Sequence, residues 1–285
     1  MIVFPNGKIN LGLNIVEKRA DGYHNLETLF FPIAFRDILE ITPSTAFEFK
    51  TYGMPISGDT ENNLCVKAYR LLSQKFPELP PIQTGLYKNI PMGAGLGGGS
   101  ADGAFMLRLL SNLFHLKISE DQLIQLAVQL GSDCPFFLLN TPCLASGRGE
   151  LLEPMTLRLE NFLIVLVNPG ISVSTAWAFS KIRPSVPTKS IREIISQPID
   201  SWRNSLMNDF ESPVFAEYPS LKMIKEKMYA LGAVYASMSG SGSSIFGIFD
   251  KKIFRKENPE EKLKPHGQVV VTRSLFSPVF KVIIS

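Results

Sequence analysis

The sequence predicts an α+β protein built in two parts. Three observations carry that reading: apolar and polar residues alternate near the N-terminus, consecutive helical patterns fill the middle, and short strand patterns return after residue 160. Strand and helix blocks that do not alternate regularly argue against a parallel α/β sheet. The division is expected between residues 152 and 160, giving segments 1–155 and 156–285.

In "KINLGLNIV", Ile9, Leu11, Leu13 and Ile15 are apolar while Lys8, Asn10, Gly12 and Asn14 alternate with them, the period of a half-buried strand with Lys8 and Asn10 on its other face. "ADGYHNLETLFFPIAF", "DILEITP" and "FEFKTYG" continue as short strands, so the first third reads as an antiparallel sheet. "NNLCVKAYRLLSQKF" sets Leu64, Ala68, Leu71 and Leu72 on one helical face, and "GLYKNIPM" is a strand entering a glycine-rich loop. The loop is followed by a helix that is apolar on most sides, "SADGAFMLRLLSNLFH". A second helix, "ISEDQLIQLAVQLG", has Ser119 and Gln122 at capping-box spacing and Gly131 at its end.

Beyond the division, "NFLIVLVNPG" is a buried strand stopped by Pro169 and Gly170. Helices are expected over "STAWAFSKI", "WRNSLMNDFESPVF" and "PSLKMIKEKMYALG", the last opened by Pro219 and closed by Gly232. "AVYASM", "SIFGIF", "GQVVVTRS" and "FKVIIS" read as strands, and the polar stretch at 250 to 267 as a surface helix or loop.

The 285 residues, 45% of them apolar, suffice for two modest domains. A net charge of +3 with no clustered Lys/Arg stripe argues against a nucleic-acid partner. Cys65, Cys134 and Cys143 have no C-x-x-C spacing, so neither a disulfide framework nor a thiolate zinc site is suggested, and a reducing cytoplasm fits. The longest apolar runs are strand-sized, and neither a membrane span nor a secretion signal is expected.

"PMGAGLGGGSADGA" carries the chemistry. From Gly93 to Ser100 it fits the phosphate-loop frame G-x-x-x-x-G-K-[ST] except that Gly99 stands at the lysine position. Five glycines within residues 93 to 99 exceed what a turn needs. A backbone without Cβ atoms can aim several N–H groups at an anion, and the helix behind adds its positive end. The segment also fits G-x-G-x-x-G, yet a second helix follows where a dinucleotide fold needs a parallel strand. A phosphate-loop NTPase fails on the lysine and on a downstream metal-binding aspartate. The cation must come from elsewhere. Lys8 is one candidate, otherwise a solvated lysine; Asp133, in "LGSDCPFFL", is a candidate base, otherwise a capping or turn aspartate.

"PNGKINLGL", "ADGYHNLETLF", "PMGAGLGGGSADGA", "GSDCPFF" and "MSGSGSSIFGIF", in this order and spanning essentially the whole chain, resemble the GHMP superfamily of galactokinase, homoserine kinase, mevalonate kinase and phosphomevalonate kinase. Within it, "RADGYH" close behind "GKINL", together with "GSDCPFF", is similar to the members that act on a cytidine diphosphate ester of a branched sugar alcohol. The resemblance implies an N-terminal ATP-binding domain, a C-terminal domain and an active site in the cleft between them. It implies transfer of phosphate from ATP to the 2-hydroxyl of the methylerythritol unit, with Mg2+ whose ligands the sequence does not identify.

By the same resemblance Asp133 accepts the hydroxyl proton, and Lys8 holds that carboxylate ionised and neutralises developing charge. Asn10 lies beside the substrate. Pro91, Met92, Gly93, Ala94, Gly95, Leu96, Gly97, Gly98, Gly99, Ser100 and Ala101 form the ATP loop, with Asn63 and Lys88 near the adenosine, although these two also read as a helix cap and a solvated strand lysine. Tyr23, His24 and Phe179 match the cytosine site, and Gly240 and Gly242 a loop that closes over it. Gly7, Asp102 and Ser239 stand where the family commonly has alanine, asparagine and threonine. An acid at 102 is repulsive beside phosphates unless it points away or meets the metal, whereas the helix start otherwise favours it.

Three alternatives stay open on the sequence: a homoserine- or mevalonate-type kinase of the superfamily, a non-catalytic ligand-binding member of the fold, and, more distantly, a nicotinamide-dependent oxidoreductase. Oligomeric state is not specified by the sequence.

Overall fold

In the computed structural model, residues 1–275 are described; the strand expected over "FKVIIS" lies outside them. In chain order the elements are β1 (Ile2–Val3), β2 (Asn6–Lys18), β3 (His24–Arg36), β4 (Ile38–Pro43), β5 (Glu48–Gly53), α1 (Leu64–Lys75), β6 (Ile82–Lys88), α2 (Gly98–Leu113), α3 (Glu120–Leu130), α4 (Cys134–Leu139), β7 (Cys143–Ser146) and β8 (Leu151–Pro154). The second part holds β9 (Phe162–Asn168), α5 (Thr175–Ser180), α6 (Ile191–Ile195), α7 (Glu211–Glu217), α8 (Pro219–Ala230), β10 (Tyr235–Met238), β11 (Ile245–Asp250), α9 (Lys251–Glu257), α10 (Pro259–Leu263) and β12 (Gln268–Thr272).

Three four-stranded sheets organise these elements, in the orders β1-β4-β6-β5, β2-β3-β7-β8 and β10-β11-β9-β12. The expected single antiparallel N-terminal sheet is corrected on two counts. Its strands divide between the first two sheets, and β5 pairs with β6 in parallel, because α1 carries the chain back across the sheet between them.

Strand β2 is buried along both faces for most of its length, not half-buried. Lys8 is 4% exposed and Asn10 2%. The face that was expected to be open is covered by the glycine loop, whose Leu96 carbonyl accepts from Lys8 N at 2.9 Å.

The helix expected over residues 202 to 215 is interrupted. A 3₁₀ turn, Ile199–Asn204, precedes an extended stretch in which Leu13 N donates to Met207 O (2.8 Å) and Asp209 N to Leu13 O (2.9 Å). Pairing with β2 removes Met207 to Asp209 from any helix, and α7 starts only at Glu211. On α1 the fully buried residues are Cys65, Val66, Ala68 and Leu72, with Leu64 and Leu71 at the margin. The polar stretch after residue 250 forms α9 and α10, with Pro259 and Leu263 buried.

The capping box of α3 forms as expected, Ser119 Oγ accepting from Gln122 N while Gln122 Oε1 accepts from Ser119 N. One apolar cluster joins α1 to α4 with the first sheet. A second joins Ile9, Leu11, Leu29 and Phe31 of the N-terminal part to Ile164, Leu166, Phe246 and Ile248 of the C-terminal sheet, so the two parts share a packed layer. That layer fixes β2 and the glycine loops against one another.

Candidate active site

Residues 91–97 lead from β6 into α2. Gly93, Gly95 and Gly97 adopt φ of 65°, 77° and 69°, the left-handed region that side chains resist. At Gly95 a Cβ would also fall 1.9 Å from Ser239 O, so the second glycine loop can lie directly on the first. Gly97 caps α2 without a side chain, which leaves the N–H groups of the first helical turn free of backbone partners until Ala101 N reaches Gly97 O at 2.9 Å. They face a cavity of about 450 Å³ lined by Asn63, Pro91, Met92, Gly93, Ala94, Gly95, Gly97, Gly98, Gly99 and Ser100, with Asp133 and Thr175 at its other side. Such a nest at a 16-residue helix is suited to phosphate. Leu96 and Ala101 are buried and support the loop from behind.

Beneath Gly97 runs Lys8. Its Nζ donates to Asn10 Oδ1 at 2.6 Å, stands 3.7 Å from Asp133 Oδ2 and lies 5.0 Å from the centre of the Phe30 ring. Burial pushes the Lys8 ammonium below its ordinary pKa, and the neighbouring Asp133 opposes that shift. Asn10 Nδ2 in turn donates to Thr28 Oγ1 (3.0 Å), which fixes the amide's orientation. Asp133 opens α4 but makes no side-chain capping bond, and its side chain is 32% exposed to the cavity. A carboxylate that caps nothing and faces a phosphate-sized hollow is available for chemistry. The Cys134 thiol beside it is fully buried, hydrogen-bonded to Ser100 and pushed up by burial to about 12, so it is not a nucleophile at neutral pH.

A second cavity, of about 680 Å³, adjoins the first at Thr175, which lines both. Its walls include Tyr23, His24 and Phe179, together with Gly131, Ser132 and Arg148. The rings of His24 and Phe179 stack directly on each other, centroids 5.0 Å apart and planes 19° from parallel, which is too close to admit a base between them. Tyr23 is 56% exposed and presents a free edge of the cavity.

Two of the residues expected near adenosine are engaged elsewhere. Lys88 is 1% exposed and does not line the cavity. Its ammonium is shared by Asp37 and Asp102, the latter at 2.7 Å, and Asp37 also accepts from Asn89 N and Ile90 N. Burial raises the Asp102 carboxyl, with Lys88 opposing. This arrangement answers the question of the acid at 102: it turns from the phosphates toward a buried ammonium. Asn63 lines the cavity but spends its Oδ1 capping α1 through Cys65 N (2.9 Å). Gly240 and Gly242 lie in the β10–β11 loop, above Gly95 and Asn10, and line neither cavity.

Sequence reasoning missed Asn208, which is 3% exposed. Its Nδ2 donates to Met238 O (2.8 Å) and Gly240 O (2.9 Å), and its Oδ1 accepts from Phe210 N (3.0 Å). Ser239 Oγ then donates to Gly95 O at 2.8 Å. Asn208 thus ties the second glycine loop to β2, a role hidden by the apparent helix around it. Thr175, whose hydroxyl meets that of Ser241 at 2.9 Å, was also missed.

A helix-borne glycine cradle beside a lysine-paired aspartate, in a fold of two such halves, has counterparts among known proteins. Residues 63–141 match the GHMP kinases N terminal domain and residues 190–261 the GHMP kinases C terminal domain. The protein is a small-molecule kinase of the GHMP class. A 4-diphosphocytidyl-2-C-methyl-D-erythritol kinase of Bacteroides fragilis is 52% identical over 267 residues, covering 92% of this chain and 94% of its own length. One from Bacteroides thetaiotaomicron is 53% identical over 254 residues, covering 88% and 92%. A crystal structure of 4-(cytidine 5'-diphospho)-2C-methyl-D-erythritol kinase superposes with a TM-score of 0.83 at 33% identity, over 95% of this chain and 98% of that one. The chain belongs to the 4-diphosphocytidyl-2-C-methyl-D-erythritol kinase family. Homoserine kinase of Cytophaga hutchinsonii, at a TM-score of 0.69 and 15% identity, shares the fold alone. Among the described residues no helix is long and apolar enough to cross a membrane.

Proposed function

We propose that this chain transfers the γ-phosphoryl group of ATP to the 2-hydroxyl of 4-(cytidine 5'-diphospho)-2-C-methyl-D-erythritol, a step in isoprenoid precursor synthesis. Residues 1–155 hold ATP, and residues 156–285 complete the acceptor site. One observation carries the reading: Lys8 Nζ stands 3.7 Å from Asp133 Oδ2 where a glycine-lined hollow meets an aromatic one.

The triphosphate lies along Gly93 to Ser100, its oxygens on the N–H groups at the start of α2. Asp133 takes the proton of the attacking hydroxyl, which must reach within about 3 Å of the carboxylate. Lys8, held by Asn10, balances the negative charge that builds on the moving group, the task that a phosphate-loop lysine performs from Gly99's position in other folds. Tyr23, His24 and Phe179 receive the cytosine. The directly stacked His24 and Phe179 form one wall, and Tyr23 offers its ring from the rim.

Mg2+ fits this site as an ion carried largely by phosphate. It needs only one or two protein oxygens, and the Ser100 hydroxyl at the start of α2 lines the hollow. Among the described residues there is no cluster of three His, Cys, Asp or Glu side chains that would form a cage. Bound there, the ion would neutralise phosphate charge. The cytoplasm is the compartment we assign, on three buried free thiols.

ADP release measured with the cytidine diphosphate ester, homoserine and mevalonate as acceptors tests the reading. Turnover of the ester alone is expected, and Tyr23→Ala should raise KM for it. Turnover of either small acceptor in preference to the ester would overturn it.

A further inference from the structure

Beside the aromatic rim stands a cation that neither the motifs nor the base assignment uses. Arg148 belongs to the turn Gly147–Arg148–Gly149 that joins β7 to β8. The turn is anchored beside the aromatic wall, because Leu26 N donates to Gly147 O at 2.8 Å, two residues from His24. On one side of the turn, the Arg148 guanidinium carbon lies 4.9 Å from the centre of the Tyr23 ring. On the other, Gly149 approaches the base: a Cβ built on it would lie 3.7 Å from Asp133 Oδ1. Adjacent residues of one turn therefore lie beside the aromatic rim and beside the Asp133 carboxylate.

Arg148 is 35% exposed and lines the second cavity. Glu150 Oε1 stands 3.6 Å from its Nε, and Glu150 Oε2 accepts from its backbone N at 2.6 Å. Among the described residues no side chain accepts from its terminal nitrogens, so the outer edge of the guanidinium is free to donate. Glu150 holds the arginine at its Nε and backbone N, at the wall of that cavity.

Resting on the substrate proposed above, we infer that Arg148 is the binding residue for the diphosphate bridge of the acceptor. The chemistry of that molecule fits the order of groups along the turn. A nucleobase at Tyr23 and a reacting hydroxyl at Asp133 leave the two bridging phosphates between them, and a guanidinium is the side chain whose paired N–H donors match phosphate oxygens. The stack on Tyr23 holds the cation in place before the substrate arrives, which lowers the entropy lost on binding.

Competitive inhibition of ester turnover by cytidine 5'-diphosphate and by cytidine, in the parent, Arg148→Gln and Arg148→Lys, tests the assignment. In Arg148→Gln the inhibition constant for the diphosphate and KM for the ester should both rise about tenfold or more, while the constant for cytidine stays within about twofold. Arg148→Lys keeps the charge without the fork and should fall between, which also excludes misfolding as the cause. An equal rise for cytidine and its diphosphate would place Arg148 in base recognition through Tyr23 and overturn the assignment, as would no change in either. If the parent fails to turn over the ester, the substrate reading itself falls, and that is seen before any variant is compared.

Discussion

Gly97 carries no side chain, and the arm of Lys8 runs along the edge of the space one would take. A Cβ at Gly97 would lie 3.3 Å from Lys8 Cε and 2.8 Å from Phe137 Cζ. The cation that a phosphate-loop kinase draws from its own loop arrives here from strand β2, passing beneath the loop. Gly97→Ala should therefore disturb both the left-handed backbone and the lysine, costing about 2–4 kcal/mol of stability. Urea denaturation measures that loss, and kcat should fall in parallel as Lys8 is displaced.

Lys88 has a structural role in this arrangement. It offsets two buried carboxylates, Asp37 and Asp102, at the point where β4, β6 and α2 converge. Lys88→Met leaves those charges unpaired and should destabilise the protein by about 3–5 kcal/mol. In whatever fraction remains folded, KM for ATP should be close to the parent's, since Lys88 does not line the cavity. A folded variant of parent stability with a large rise in KM for ATP would return Lys88 to the nucleotide site.

Much of this was legible in the sequence, and the exceptions have identifiable causes. Alternation in "KINLGLNIV" marks β2 as a strand, but period alone does not tell that the polar face is covered; that depends on a loop some 90 residues later in the chain, whose Leu96 bonds to Lys8 N. The five glycines of residues 93 to 99 announce an anion site because they outnumber what a turn needs, and three of them, Gly93, Gly95 and Gly97, adopt left-handed angles. Residues 202 to 215 read as a helix on local pattern, yet Leu13 claims Met207 and Asp209 for backbone pairing, a tertiary effect without local signature. Asp133 has the sequence context of a capping residue; only coordinates reveal that its carboxylate caps nothing.

The protonation of Lys8 gives a pH signature. Burial lowers its pKa in the folded protein below the ordinary value of 10.5. As pH rises, the ammonium is therefore lost earlier than from a solvated lysine, and kcat/KM, which reports the free enzyme, should decline on an alkaline limb beginning below 10.5. The sign for stability is opposite. Between the folded and unfolded values the unfolded chain holds a proton that the native chain has released, so this group makes stability rise with pH across that window. Lys8→Arg, which stays charged, should abolish the limb in any residual activity.

Asp133→Asn offers the most direct test, with nucleotide affinity measured by calorimetry and phosphoryl transfer by ADP release. ATP affinity should match the parent while transfer falls by about a hundredfold or more, because the amide cannot accept the hydroxyl proton. Transfer within about threefold of the parent rate, at unchanged ATP affinity, would contradict the assignment of Asp133 as the base.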